Sequence, residues 1–428
     1  MTGPAFLDGR GRPRVAVTGV GVKTPAGNDV ATMWATVRAG RGTAGRITRW
    51  DPSELPVQIA GEVLNFDTAP YFGPKEARRQ DRVTQLGFAA AVDALADTGE
   101  LGADPSRCAV IAATGVGGLE SMELNESTFL ERGASRVSPF FVTMMMPNAT
   151  AGAISINFGW TGPNMCIATA CAAGTHAIGE GARLIRDGSA DAVVAGGTEA
   201  GITPLTISAF ARMGALSTRN DDPQHASRPF DADRDGFVMA EGAAFVILES
   251  LERALARGAK IYGIVAGYGR NGDAYHITAP SPGGAGAAAC MQLALDDAGL
   301  VASDIGHVNA HGTSTPLNDA SEAEAIRKVF GDHSPPVTST KGVTGHMIGG
   351  AGAAEAVISL LSIRDGIVPP TANLERIGDE IDLDVVFGEP RVIERGPALS
   401  NSFGFGGHNA TLILAPVDSS SADSPSAG

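Results

Sequence analysis

A cysteine at a predicted strand-to-helix turn is the first residue whose position could support chemistry. In the segment MCIATACAAGTHAIGEGARLIRDG a short apolar run ends at Cys171, and a helical pattern begins almost at once. The first turn of a helix offers unpaired N–H groups and positive potential, which favour a thiolate and can hold a developing oxyanion. Cys171 is therefore a candidate nucleophile; an ordinary buried cysteine is the alternative interpretation.

A second unit, HVNAHGTSTPLND, places His311 directly after a predicted strand. Thr313 and Thr315 alternate along the chain behind it, so their hydroxyls can point the same way. A helix capped by Asn318 or Asp319 is predicted to follow. Taken alone, such a histidine is more often structural than catalytic.

A third unit, PVTSTKGVTGHMIGGAGAAE, presents Lys341 and His346 in a glycine-rich loop, before a helix whose first turns contain Glu355. A solvated loop charge is the alternative for the lysine, and a partner of the helix dipole is the alternative for the glutamate. Open α/β sheets place their ligands at the carboxyl ends of strands. The conjunction of Cys171, two histidines and a lysine after strand patterns therefore predicts one reactive site.

The segment NSFGFGG, just before the last predicted strand, places Phe403 and Phe405 among glycines. Backbone this bare can approach a substrate closely, and its N–H groups can serve as oxyanion donors, although core packing is the commoner fate of phenylalanine. The chain has no P-loop, no HExxH and no GxSxG motif, and the segment GVGVKTPAG after the first predicted strand lacks the third glycine of GxGxxG. Nucleotide binding and the corresponding hydrolase chemistries therefore have no support.

The elements that must hold these residues alternate between strand and helix. Strands are predicted at residues 14–22, 108–113, 191–197, 243–250, 307–310, 336–340 and 410–415, and helices at 82–97, 174–187, 286–298, 321–330 and 353–364. This alternation predicts a layered α/β architecture with mixed or parallel sheets. The stretches 115–165 and 200–240 are predicted to be long irregular connections.

Two similar halves, joined near residue 262, are suggested because each contains strand-turn-helix units with a reactive residue at the turn. Their letters are too different to establish a repeat. The final residues, 417–428, are rich in Ser, Asp, Gly and Pro and are predicted to form a disordered tail.

Composition excludes several classes of protein. The net charge of −15 argues against a nucleic-acid footprint or a polybasic membrane surface. The four cysteines form no CxxC pair, which argues against a disulfide framework or a structural zinc site and favours a reducing cytoplasm. No signal-peptide pattern or long uncharged apolar run is present, so the protein is expected neither to leave the cell nor to span a membrane.

Four segments, TACAAG, HGTSTPLND, TKGVTGH with GGAGAAE, and NSFGFGG, resemble the signature blocks of the β-ketoacyl-acyl-carrier-protein synthases, especially the elongating members. The resemblance extends in order from about residue 14 to residue 416. It implies a thiolase-like fold of two similar α/β halves in a five-layered α-β-α-β-α arrangement. The first half, residues 14–262, would carry the nucleophile, and the second, residues 263–416, the basic residues.

The resemblance also implies roles at the reactive centre. Cys171 matches the nucleophile that accepts the acyl chain from the phosphopantetheine arm of a carrier protein. His311 and His346 match the pair that donates hydrogen bonds to the thioester oxygen of malonyl-carrier protein during decarboxylation. Lys341 and Glu355 match the charged pair that supports those histidines.

Other implied roles concern access to this centre. Phe405 matches a gatekeeper whose N–H forms the oxyanion hole together with that of Cys171, and Phe403 is its neighbour. Asp273 lies in a loop that joins the movement of the gate. The hydroxyls implied to contact the pantetheine are those of Thr313 and Thr315. The residues implied to dock the acidic carrier protein are Lys75, Arg78, Arg79 and Arg136, although Ser135 stands where the family has a further basic residue.

The expected function is a decarboxylative Claisen condensation that elongates a fatty acid, performed by a homodimer without metal or cofactor. The alternative is an active ketosynthase subunit of a type II polyketide or polyene pathway, paired with a chain-length partner that lacks the cysteine. A thiolase is disfavoured because its second catalytic cysteine would follow Cys290, and an initiating synthase because it has Asn in place of His346. A non-catalytic chain-length subunit is disfavoured because Cys171 is present.

Overall fold

The structure is a computed structural model that describes residues 4–417. The helices are α1 (Val30–Arg38), α2 (Pro74–Ala77), α3 (Arg82–Thr98), α4 (Leu119–Arg132), α5 (Phe141–Met145), α6 (Ala149–Phe158), α7 (Ala173–Arg186), α8 (Pro204–Arg212), α9 (Leu251–Ala256), α10 (Ala285–Ala298), α11 (Pro316–Phe330), α12 (Lys341–Thr344) and α13 (Ala351–Asp365). The strands are β1 (Val15–Lys23), β2 (Gly45–Arg46), β3 (Ile59–Ala60), β4 (Cys108–Ala113), β5 (Asn164–Ile167), β6 (Ala192–Glu199), β7 (Gly242–Ser250), β8 (Gly263–Gly272), β9 (His307–Asn309), β10 (Val337–Thr338), β11 (Ile367–Val368), β12 (Arg391–Val392), β13 (Ala398–Gly404) and β14 (His408–Ala415).

Ten of these strands form one continuous sheet in the order β10-β9-β13-β14-β8-β1-β7-β6-β4-β5. The order reads as two five-stranded halves that meet where β1 pairs with β8, through residues Val15–Val17 and Gly263–Val265. In the first half, β7 pairs antiparallel with β1 and β6, and β4 pairs parallel with β6 and β5. In the second half, β14 pairs antiparallel with β8 and β13, and β9 pairs parallel with β13 and β10. The two halves therefore share one topology.

Helices separate the halves into layers. α3 and α6 cover the outer face of the first half, and α10 and α11 cover the outer face of the second. α7 and α13 lie between the two halves, and α13 contacts strands of both. Every residue of α13 from Ala351 to Ile363 is buried, as expected for a helix whose residues, apart from Glu355, are apolar or small on all sides. This is the five-layered, thiolase-like arrangement that the family resemblance implied.

The two central helices approach each other closely at their N-terminal ends. A Cβ on Gly174, in the first turn of α7, would lie 2.8 Å from the backbone nitrogen of Ala353 and 2.9 Å from the carbonyl oxygen of Gly349. Only glycine permits this approach of backbone to backbone. The contact brings the start of α7, which follows Cys171, beside the start of α13, which follows His346.

The strands and helices predicted from the sequence are confirmed, with boundaries that shift by a few residues. The helix expected to follow Asn318 or Asp319 instead begins at Pro316 with Thr315 at its N-cap, because proline is favoured at the first helical position. Strands β8 and β13 had not been predicted.

The prediction of irregular connections was wrong for most of residues 115–165 but holds for residues 200–240 outside one short helix. Residues 115–165 contain α4, α5, α6 and β5, and residues 200–240 contain α8. α4 buries only Ser121 and Asn125, so its sequence has no apolar stripe facing a core. Without that stripe, the sequence has no hydrophobic periodicity from which the helix could be predicted.

Of the predicted tail, only Val417 is described, and it packs against the cluster around Leu251; residues 418–428 lie outside the described residues. Across residues 4–417, no helix is both long enough and apolar enough to cross a membrane. All four cysteines are unpaired.

Candidate active site

The candidate nucleophile lies on a sharp turn between β5 and α7. Residues Ala170–Ala172 form a single 3-10 turn, and α7 begins directly after it. Ala170 has a φ of 49°, in the left-handed region that alanine seldom adopts, and such strain is held only where the surrounding structure enforces it. The turn places the thiol of Cys171, 7% exposed, at the wall of a cavity of about 580 Å³.

Two histidines from the second half of the chain converge on this thiol. His346 follows α12, and its Nε2 lies 3.0 Å from the Sγ of Cys171. His311 follows β9, and its ring is edge-on to that of His346, with centroids 5.4 Å apart. The sulfur and the nitrogens that these histidines offer all lie within 4.8 Å of one another. The sequence prediction that the strand ends meet at one site agrees with this geometry.

Lys341 is buried rather than a solvated loop charge. It begins α12 directly after β10 and is 1% exposed. Its Nζ donates to the carboxylate of Glu355, to the carbonyl oxygen of His311 at 2.6 Å and to the Nδ1 of His311 at 3.3 Å. Because Nδ1 accepts this bond, the proton of the neutral imidazole is assigned to Nε2, the other ring nitrogen.

A second buried carboxylate, which sequence reasoning missed, fixes the backbone beneath His311. Glu322 of α11 accepts the N–H of His311 at 2.8 Å and that of Gly312 at 2.7 Å. Asn401 of β13 also donates to it, at 3.2 Å. In the sequence, a glutamate in an α-helix looks like a surface residue, so no feature of the pattern indicated this contact.

Burial determines the charges at this centre. It raises the pKa of the Cys171 thiol to about 12, against the opposing effects of the Lys341 charge and the N–H of Phe405. Burial, followed by the charge of Lys341, lowers the pKa of both His311 and His346 well below the usual value. The resting centre therefore holds a neutral thiol and two neutral imidazoles. The thiolate expected from the helix terminus is not the resting form, because desolvation outweighs the helix potential.

Two backbone N–H groups point at the sulfur, those of Cys171 itself and of Phe405 in the β13–β14 turn. The turn comes this close because Gly404 has no side chain: a Cβ there would lie 2.8 Å from the carbonyl oxygen of Thr169. Such a pair of donors suits the oxygen of a thioester formed on Sγ. Phe405 is about one third exposed, and Phe403 packs against the core of the second half with its ring edge-on to His311.

Asp273 ties a neighbouring loop to the same turn. It lies directly after β8, donates its N–H to the carbonyl oxygen of Gly407 at 2.9 Å, and accepts from Asn409 at 2.6 Å and from the N–H of Ser281 at 2.9 Å. These hydrogen bonds join the loop after β8 to the β13–β14 turn. A gate formed by these two segments would need such a connection to move as one unit.

The cavity beside the reactive centre is lined by both polar and apolar residues. Thr313 and Thr315 line it, and their hydroxyl oxygens are 2.9 Å apart, as their alternation predicted. Val116, Phe210 and Ile348 give part of the wall an apolar surface. A cavity of this shape can hold a polar arm beside an aliphatic chain.

The basic residues singled out for docking are all exposed, and none of them forms an ion pair with another described residue; they are Lys75, Arg78, Arg79 and Arg136. The guanidinium of Arg79 lies 4.4 Å from the ring centre of Phe140. None of the four lines the cavity. Arg212, which the sequence analysis missed, is an exposed cation at the end of α8, beside the cavity residue Met213.

Comparison with known proteins gives matches along most of the chain. Residues 12–254 match the family described as "Beta-ketoacyl synthase, N-terminal domain", and residues 262–375 match "Beta-ketoacyl synthase, C-terminal domain". The 3-oxoacyl-[acyl-carrier-protein] synthase 2 of Synechocystis sp. is 50% identical over 409 residues, which cover 94% of this chain and 98% of that protein.

Solved structures agree with the sequence comparison. A β-ketoacyl synthase from Burkholderia phymatum superposes with a TM-score of 0.88 and 36% identity, over 95% of this chain and all (100%) of the other. AntDE, a type II polyketide ketosynthase in complex with the acyl carrier protein AntF, gives a TM-score of 0.87 with 32% identity, over 95% and 100%. The chain therefore belongs to the β-ketoacyl synthase family.

Proposed function

We propose that this protein is a 3-oxoacyl-[acyl-carrier-protein] synthase that elongates fatty acids. It would condense an acyl chain, held as a thioester on Cys171, with malonyl-carrier protein to give 3-oxoacyl-carrier protein and CO2. The observation that carries the proposal is the convergence of Cys171, His311 and His346 at one end of the cavity. The name and the 50% identity of the Synechocystis relative support the same reaction.

The first step is transfer of the acyl chain to the thiol. Because the thiol of Cys171 is neutral, it must lose its proton as it attacks, and the Nε2 of His346, 3.0 Å away, is placed to take it. The S–C bond to the carrier breaks as the new thioester forms. The departing phosphopantetheine thiolate takes the proton from His346, which leaves the histidine neutral again.

The second step is decarboxylation of the malonyl group. Loss of CO2 leaves an enolate, whose negative charge grows on the thioester oxygen. His311, with its Nε2–H held by the contact to Lys341, can donate to that oxygen. His346 can donate as well once its proton has moved from Nδ1 to Nε2, since Nδ1 has no hydrogen-bond partner in the described part of the chain that would hold the proton there. Because both histidines are neutral, they stabilise the enolate without a strong acid that would protonate its carbon.

The third step forms the carbon–carbon bond. The enolate carbon attacks the carbonyl of the Cys171 thioester, and the N–H groups of Cys171 and Phe405 receive the resulting oxyanion. Collapse of this intermediate breaks the C–S bond, releases the 3-oxoacyl product and returns Cys171 as a thiolate, which takes a proton from solvent. These steps use groups of this chain and the thiol that the carrier brings, so the proposal includes no cofactor or metal.

We also infer that the protein's partners are an acidic carrier protein and a second copy of itself. The unpaired cations around Arg78 and Arg136 offer a basic surface on a chain of net charge −15. If they dock the carrier, added salt should raise the KM for acyl-carrier protein and leave turnover at saturation unchanged. Self-association is inferred from an exposed apolar face on α4 and α5. A cytoplasmic location stays a prediction from composition.

The decisive experiment measures acyl capture directly. The protein is incubated with a ladder of acyl-carrier proteins of different chain lengths, and the mass added to each cysteine-containing peptide is determined. We expect one acyl group per chain, on Cys171, and none on the variant Cys171→Ala. The matched control is Cys166→Ala, which removes a half-buried cysteine outside the centre and should leave capture intact. Acylation of Cys171→Ala to the same extent as the wild type would refute covalent catalysis.

A further inference from the structure

The reactive centre has the donor set of a zinc site. One thiol and two imidazoles offer ligand atoms that all lie within 4.8 Å, and the Sγ of Cys171 is already 3.0 Å from the Nε2 of His346. In a tetrahedral zinc site, with Zn–S of about 2.3 Å and Zn–N of about 2.0 Å, neighbouring ligand atoms are roughly 3.5 Å apart. Only small side-chain shifts separate this arrangement from that geometry.

We propose that the free enzyme binds one Zn²⁺ ion through Cys171, His311 and His346, and that the bound ion reversibly blocks acyl transfer. A thiolate with two imidazoles is a preferred zinc donor set. The block of acyl transfer rests on the function proposed above, whereas the binding of the ion does not.

The electrostatic surroundings allow a divalent cation. The charge of Lys341 is partly offset by Glu355, to which it donates a hydrogen bond. The Nδ1 of His346 has no hydrogen-bond partner in the described part of the chain, so no contact there opposes a shift of this ring toward an ion.

The surroundings also limit how tightly the ion is held. For His311 to bind through Nε2, its proton must move to Nδ1, which now accepts a hydrogen bond from Lys341 at 3.3 Å. Binding therefore requires this long contact to be released. Because this hydrogen bond must break, the ion should bind weakly enough to exchange with solvent. Such exchange is expected of a reversible inhibitor and not of a permanent structural metal.

The cavity leaves the fourth position of the ion open. The three protein ligands face a space of about 580 Å³, through which a hydrated ion can arrive and in which one water can remain bound. Binding replaces the S–H bond of Cys171 with a Zn–S bond and releases one proton to solvent, with no change of oxidation state. Because an acylated sulfur cannot act as a thiolate ligand, acyl capture and metal binding exclude each other.

The test uses Co²⁺ as a spectroscopic probe and Zn²⁺ as the competing ion, with the full-length protein in metal-free buffer. We expect a thiolate-to-cobalt charge-transfer band that saturates at one ion per chain and disappears when Zn²⁺ is added. Because cysteine binds a metal as the thiolate, metal binding should also release protons to solvent. His346→Ala should weaken Zn²⁺ binding about tenfold or more.

The controls separate this site from adventitious binding. The band should be absent in Cys171→Ser and in wild-type protein alkylated at Cys171, a form that needs no mutation to fold. It should persist in Cys166→Ser, since Cys166 lies outside the centre. A band that survives the loss or alkylation of Cys171, or no band in the wild type, overturns the proposal.

A parallel assay follows acyl capture from acyl-carrier protein with and without Zn²⁺. We expect capture to fall at least about tenfold when the site is saturated and to return after chelation. If the wild type binds the ion but captures no acyl group even in metal-free buffer, the proposed function fails and the metal site stands. Capture that is unaffected by a saturating ion overturns the inference that the metal blocks it.

Discussion

The thiol of Cys171 and the imidazoles of His311 and His346 form a centre in which none of the three groups is charged at rest. Desolvation determines this state, because a buried thiolate or imidazolium would lose its hydration without a full counter-charge. In the proposed mechanism the nucleophile is therefore produced during the attack, by proton transfer over 3.0 Å, and is not stored as a thiolate. The buried pair of Lys341 and Glu355 is the charged exception, and it orients His311.

The protonation of Cys171 can be tested by alkylation. Because burial raises the pKa of this thiol to about 12, the thiolate fraction should increase about tenfold per pH unit throughout the accessible range. The rate of alkylation of Cys171 by iodoacetamide, followed by peptide mass, should thus rise up to about pH 10 without a plateau. A plateau near neutral pH would show that the helix terminus holds a thiolate after all.

Substitution of Lys341 should slow malonyl decarboxylation much more than acyl capture. In Lys341→Met, His311 loses the donor that holds its Nε2–H in place, so we expect malonyl decarboxylation to fall about 100-fold. Acyl capture should change little, since Cys171 and His346 keep their contact. The control is Lys23→Met, which removes another buried lysine, paired with Asp93 outside the centre. Equal losses of both reactions, or similar losses in the control, would contradict a role in orienting His311.

Among the elements, the β13–β14 turn places the Phe405 N–H against the sulfur. In Gly404→Ala the new Cβ would lie 2.8 Å from the carbonyl oxygen of Thr169 and 3.1 Å from the nitrogen of Cys171, so the turn must move away. We expect kcat for condensation to fall about 100-fold, as in other losses of one oxyanion donor. The control is Gly272→Ala, in the adjacent strand, where the nearest atom to the Cβ is 3.8 Å away. Unchanged turnover in Gly404→Ala would exclude this donor.

The elements that hold the site were predictable because three of the four candidate reactive residues follow strands. Cys171 follows β5, His311 follows β9 and Lys341 follows β10, and strand ends are recognisable in sequence from β-branched runs and the glycines after them. The contacts across the halves were not predictable, since they depend on how α7 and α13 cross. For the same reason Glu322 was missed: only the fold shows that its carboxylate meets the backbone of His311.

At the scale of the whole molecule, one topology occurs twice while the chemistry is divided between the copies. The first half supplies the nucleophile and the second supplies the histidines, so neither half alone contains the site. The repeat cannot be recognised from sequence identity between the halves, because a topology constrains the pattern of apolar residues more than their identity. The pairing of β1 with β8 and the central helices joins the halves into one body.

The molecule also exposes an apolar region on α4 and α5, called here the apolar face. Leu124, Phe129 and Leu130 of α4 and Val142 of α5 are more than half exposed, and α4 packs on α5, so these side chains belong to neighbouring elements. Exposed apolar surface of this kind marks a protein interface. A second copy of the chain would bury it, and each leucine so buried contributes about 2 kcal/mol.

We therefore expect the protein to be a dimer at micromolar concentration when its mass is measured by light scattering. Leu130→Asp places an unpaired charge in the apolar face and should yield monomers. Val392→Asp, a similar change at a residue that is 80% exposed on β12, away from this face, should remain dimeric. Retention of the dimer in Leu130→Asp would place the interface elsewhere. A wild type that is monomeric alone, and pairs only with a relative lacking the cysteine, would instead support the polyketide alternative, because its chain-length partner would then cover this face.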